Sequence, residues 1–200
     1  MRARFTLPEI RAKALEIVDA DGLSGLSMRS LASALGTGPM TLYNYVKDRE
    51  GIEELVAEEV IARVEMPPPS GDWRRDTEAI ATALWRAVRA HPEAAALVLT
   101  RRTASAAGFA PAEALIAALG HAGLTDLDLL AAFRSVLGFV MGATHVELTG
   151  QLAAKVGDLA GHGHPHMASL AQVSQRSTPE DDFVRGLGFL LDGIAARGRA

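Results

Sequence analysis

Apolar positions in this 200-residue chain recur every three or four residues, the period of helices packed along one face. Ile10, Ala14, Ile17 and Val18 form such a stripe, predicting a first helix from about Leu7 to Ala20, with Pro8 in its first turn and Asp21-Gly22 stopping it. Ser27 is placed to cap a short helix through Ala34, Leu35 and Gly36 to make a turn, and Pro39 to Tyr45 to form a third helix. Asp48 caps a fourth, running to about Glu65 with Ile52, Leu55, Val56 and Ile61 inward. Met66-Pro67-Pro68-Pro69-Ser70-Gly71 then breaks the pattern, because proline lacks an amide proton and disfavours helix before it. Further helices are predicted near Trp73 to Ala90, Pro92 to Arg102, Pro111 to His121, Asp126 to Ala154, Met167 to Gln175 and Pro179 to Arg197. The expected fold is all-α: a helix-turn-helix head over residues 1–50, a connecting helix over 51–66 and a larger helical domain over 67–200.

The most informative stretch is Met28 to Lys47. Leu31, Ala32, Leu35, Leu42 and Val46 are the small and apolar positions that lock two short helices at a steep angle, and Ala32 must be small where they cross. Gly36 sits where such a turn favours positive φ. That leaves Arg29, Thr37, Gly38, Thr41, Tyr43, Asn44 and Tyr45 outside, beside the capping Ser27, with Lys47 and Arg49 at the start of the next helix. Thr and Asn hydrogen-bond base edges or phosphates, tyrosines reach phosphates, and Arg29 suits a guanine. This is the layout of a helix that enters the DNA major groove.

Charge changes the picture little. The net −4 is uneven: residues 1–51 hold seven Lys/Arg against six Asp/Glu, and the rest hold thirteen against eighteen. Phosphate attraction acts within about one Debye length of ~10 Å, so overall acidity does not argue against DNA. The absence of cysteine excludes disulfides and thiolate chemistry. No Gly-x-Ser-x-Gly, Gly-x-x-x-x-Gly-Lys or His-Glu-x-x-His occurs, so an enzyme is not expected, nor is a cofactor. His162, His164 and His166 fall in a Gly/Pro-rich stretch without a nearby carboxylate, and no metal site is expected there. The first residues lack a signal peptide's apolar core, and no apolar run approaches the ~20 residues of a membrane span, so a soluble cytoplasmic protein without a membrane partner is expected.

Met28-Arg29-Ser30-Leu31-Ala32, then Leu35-Gly36, then the run Thr41 to Ile52 resemble the DNA-binding domain of the tetracycline-repressor (TetR) family. Gly71-Asp72-Trp73, Leu99-Thr100-Arg101-Arg102 and Val136 to Gly142 resemble the carboxy-terminal domain of the tetracycline repressors themselves. The resemblance implies a homodimeric repressor on a palindromic operator, released by a small-molecule effector. It also places Arg29, Thr41, Tyr43, Tyr45 and Arg49 at positions that commonly touch DNA. One departure is Gly38-Pro39-Met40, which replaces a more polar start of the reading helix and reduces hydrogen-bond reading there.

For the larger domain, Trp85, Leu99, Phe109, Phe133, Leu137 and Met141 are candidate apolar lining, with Thr100, Arg101 and His145 as candidate polar contacts. Tetracycline repressors hold drug-bound magnesium through histidines; this chain has Glu65-Met66-Pro67 and Leu97-Val98-Leu99 in the corresponding stretches. Magnesium-tetracycline is therefore not the expected effector, and a mostly apolar molecule is. Gly138 and Gly142, one turn apart, with Phe183, Leu187, Leu190, Leu191 and Ile194 of the last helix, are the expected dimer interface. Two alternatives stay open on these residues: a ligand-enhanced or activating regulator of the same family, and a helical interaction module that has lost DNA binding.

Overall fold

Local capping chemistry opens several of the helices in the computed structural model, which describes residues 5–101, 106–149 and 165–198. Thr6 accepts from the Glu9 N–H while the Glu9 carboxylate takes the Thr6 N–H at 2.7 Å, starting α1 (Leu7–Gly25) with Pro8 in its first turn. The expected stop at Asp21-Gly22 is a kink instead: Gly22 adopts φ 69°, and the helix resumes for a last turn to Gly25. Ser27 and Ser30 cap each other's N–H groups at the start of α2 (Met28–Ala34).

What ends α2 sets the angle of the head. Gly36 takes φ +63°, its N–H donates to Ser33 O at 3.0 Å, and the Thr37 N–H reaches back to Ala32 O at 2.9 Å. This pair of bonds satisfies the terminal carbonyls and reverses the chain within three residues. The next helix, α3 (Pro39–Leu42), is shorter than expected. After Leu42 the chain tightens, with Asn44 N–H bonded to Thr41 O and Tyr45 N–H to Leu42 O, three residues back rather than four. Asp48 accepts from Gly51 N–H at 2.9 Å and starts α4 (Arg49–Ala62).

The remaining described elements are α5 (Trp73–Arg89), a 3-10 turn (Pro92–Ala94), α6 (Ala95–Thr100), α7 (Ala106–Gly120), α8 (Asp126–Thr149), α9 (Pro165–Ser174) and α10 (Pro179–Arg197). No strand occurs among the described residues. The element expected to start at Pro111 begins five residues earlier, and Pro111 sits inside α7, forfeiting one ladder bond. The end expected for α8 beyond Thr149, and the histidine-rich stretch before Pro165, lie outside the described residues.

The chain divides into two units, Met1–Met66 with Arg86–Ala114, and Pro67–Trp85 with Leu115–Ala200. Residues 86–114, expected with the larger domain, thus group with the head, because the 3-10 turn packs on α1 and α6 packs on α4. The core of this first unit is Ile10, Leu15, Val18, Leu31, Leu42, Ile52 and Val56, all fully buried.

In the second unit α8 packs on α10, with Val136, Val140, Leu187 and Leu191 buried. Trp85 of α5 stacks on Phe183 of α10 with ring centroids 4.6 Å apart, and Phe139 tilts against the same ring at 5.4 Å. One expectation needs correction here. Phe183, Leu187, Leu191 and Ile194 are at most 7% exposed, so they form the inner stripe of α10 and are not open to a second copy. Asp126–Leu148 is a 23-residue stretch long and apolar enough to cross a membrane by length and composition, though Asp126, Asp128, Arg134 and Glu147 interrupt it.

Candidate nucleic-acid interface

The edge formed by α2, the turn and α3 carries most of the residues predicted to meet DNA. Arg29, Gly38, Asn44 and Lys47 are exposed, Tyr43 is 49% exposed and Thr41 is half-buried. None of them belongs to the core, because Leu31, Ala32, Leu42 and Val46 take the inward positions on the same short helices. Two exposed cations, the Thr41 hydroxyl, the Asn44 amide and the Tyr43 phenol make a surface able to bond both phosphates and base edges.

Three of the predicted residues are already engaged, and the hydroxyl of a fourth, Thr37, is buried. The Ser27 hydroxyl is spent on the Ser30 N–H as a cap. The Thr37 hydroxyl is buried without a hydrogen-bond partner among the described residues, so it faces inward rather than toward a groove. Tyr45, half-buried, accepts the Phe5 N–H on its hydroxyl at 3.1 Å and thereby ties the start of α1 to the end of the reading segment. Arg49 donates through Nε to Glu53 at 2.9 Å and through its terminal nitrogen to Leu23 O at 3.1 Å. These roles were invisible in the pattern because each needs a partner distant in space or a particular cap geometry. Met40, outside the sequence-derived set, stands 78% exposed on the same edge. The Gly-Pro-Met departure was the signal for it.

Behind the head lies an ion-pair cluster. Arg101, at the end of α6, donates to Glu50 at 2.6 Å and to Glu53 at 2.5 Å. Glu53 therefore joins Arg101 to Arg49. Burial works against its charge, but the hydrogen bonds from Arg49 and Arg101 outweigh that and hold its carboxyl below the ordinary value. Arg101 had been expected to contact an effector; in this structure its guanidinium is committed to α4. Two further ion pairs, Arg11 with Glu58 and with Glu59, link α1 to α4.

The other candidate effector residues scatter. Thr100 donates its hydroxyl to Ala96 O of its own helix. Trp85 is 1% exposed in the aromatic stack, whereas Phe109 is 56% exposed. Phe133, Leu137 and Met141 are half-buried on α8, His145 is exposed, and the side chain of Leu99 lies outside the described residues. No group of three His, Asp or Glu side chains is arranged to hold a metal among the described residues.

Residues 67–197 match the profile of the tetracyclin repressor-like carboxy-terminal domain. The chain belongs to the TetR family of transcriptional regulators. An HTH-type transcriptional regulator of Saccharopolyspora erythraea is 33% identical over 96% of this chain and 85% of its own length. The HTH-type transcriptional repressor DrrR1 of Streptomyces coeruleorubidus is 32% identical over 95% of this chain and 77% of its own. Among solved structures, the TetR family protein ActR of Streptomyces coelicolor in complex with actinorhodin superimposes with a TM-score of 0.82 at 28% identity, covering 98% of this chain and 97% of ActR. DNA binding and ligand binding come with TetR-family membership, and the chain is a regulator rather than an enzyme.

Proposed function

We propose that this TetR-family chain is a homodimeric repressor whose two heads hold a palindromic operator and are released by a small, mostly apolar effector. The carrying observation is the exposed edge around the Gly36 turn, where Arg29, Thr41, Tyr43 and Asn44 stand outside a closed apolar core. One such head makes few contacts; two related by a two-fold axis, about one helical turn (~34–36 Å) apart, define a symmetric site. The exposed Gly138 and Gly142 of α8, with Val184 and Phe189 outside the inner stripe of α10, supply an apolar surface for the second copy. ActR, whose fold is closely similar, is solved in complex with actinorhodin, which supports a small-molecule effector here.

Release runs through α4. Arg101 grips Glu50 and Glu53 in the first two turns of α4, the end that follows the head directly. An effector that displaces α6 pulls on that end and changes the spacing of the two heads. A coupling of ~1–3 kcal/mol is enough to switch occupancy. The test is a gel shift with the DNA upstream of the chain's own reading frame, run at two salt concentrations. A specific, salt-sensitive shift at dimer stoichiometry is expected; an absent shift, or one that competitor DNA of random sequence abolishes equally, rejects the reading.

A further inference from the structure

The leading turn of the reading helix offers almost no hydrogen-bonding chemistry. Gly38 has no side chain, and nothing lies within 4 Å of the place a Cβ would take. Pro39 has no N–H, and the Thr37 hydroxyl just before it is buried. What projects there is Met40, 78% exposed, the most open large apolar side chain of the head; Leu7, at the start of α1, is 47% exposed. No packing need of the subunit places an unbranched thioether on that tip. Thr41, Tyr43 and Asn44 follow it within four residues, so a duplex held by those three lies next to Met40.

The DNA major groove presents one apolar group on its base edges, the 5-methyl of thymine. A methionine side chain is flexible and polarisable, and it adapts to a small apolar partner better than a branched one does. We propose that Met40 is a specificity-determining residue that reads a thymine methyl in each operator half-site. The reading edge is then divided, with apolar recognition at its front and polar recognition by Thr41 and Asn44 behind. This inference rests on the repressor reading above and gives it a base preference.

The experiment removes the methyl alone. Duplexes enriched from a random pool by the purified full-length protein supply the operator, and each thymine is replaced in turn by deoxyuridine. Wild-type protein is expected to lose about fourfold in affinity at one thymine per half-site, the effect of one methyl-sized group leaving an apolar contact. Met40→Ala and Met40→Gln are expected to bind the thymine and deoxyuridine operators equally, with unchanged thermal melting because Met40 lies outside the core. Indifference of the wild type to deoxyuridine at every position overturns the inference, as does methyl sensitivity that persists in Met40→Ala. Failure to enrich any sequence overturns the repressor reading itself, which separates the two failures.

Discussion

The head and the last helices treat their apolar residues in opposite ways. In the head, Ile10, Leu15, Leu31 and Leu42 are fully buried, and the apolar exception on the reading helix is Met40 beside Tyr43. In α8 and α10, a buried stripe coexists with exposed Leu127, Leu130, Val146, Val184 and Phe189. The head thus completes its own core, whereas these helices leave an apolar face uncovered within one chain. Exposed apolar side chains on two packed helices suit the dimer surface proposed above. On the proposed dimeric reading, the head is packed within one chain, while the exposed apolar side chains of α8 and α10 are covered by a second copy.

The contrast is sharpest at two phenylalanines six residues apart on α10. Phe183→Ala removes the ring stacked on Trp85 and is expected to destabilise the fold by about 3–5 kcal/mol in denaturant unfolding. Phe189→Glu, at a position 72% exposed, is expected to leave secondary structure intact while shifting sedimentation toward the monomer. Equal losses of stability in both variants would erase the distinction between the inner and outer faces. Gly142→Leu places a bulky side chain on the exposed face of α8 and is expected to weaken dimerisation by the same assay.

Next in size come the DNA contacts. Arg29→Ala and Tyr43→Ala are each expected to weaken operator binding by about 1–3 kcal/mol, read by gel shift, without lowering the melting temperature. A collapse of the melt in both would place these residues in the core. Smaller still is Gly36→Ala. Nothing obstructs a Cβ there, so the cost is that of holding a non-glycine residue at φ +63°, about 1–2 kcal/mol in thermal unfolding.

The smallest expected effect is on pH dependence. The folded Glu53 carboxyl titrates below its ordinary value, so its contribution to stability is complete above the usual carboxylate range, about 4.3. It is lost as pH falls through the lowered folded value. The stability gap between wild type and Glu53→Gln is expected to shrink on acidification, measured by melts from about pH 6 to about pH 3. A gap that widens instead would mean that Arg49 and Arg101 do not favour the charged form.

Helix starts were legible where their signals are contiguous: Ser27 before α2 and Asp48 before α4 each act within three residues, whereas the caps at Thr6 and Thr178, equally local, came from the structure. The turn at Gly36 was legible for the same reason, and with it the family resemblance and the outward residues Arg29, Tyr43 and Asn44. Helix faces were less so. A 3.6-residue stripe says that α10 buries one side, but Phe183, Leu187 and Leu191 look alike whether the neighbour is Trp85 of the same chain or a second copy. The commitment of Arg101 to Glu50 and Glu53, about fifty residues away in the chain, leaves no local trace.

Spacing and capping alone decided that this chain is helical, where most of its elements begin and which short segment carries the helix-turn-helix pattern, since those depend on bonds between near neighbours. Tertiary structure alone decided which cations remain free for phosphate, which apolar stripe is core and how far Met40 stands out. Those outcomes depend on what lies opposite each side chain, and only the folded chain brings the opposite surface into place.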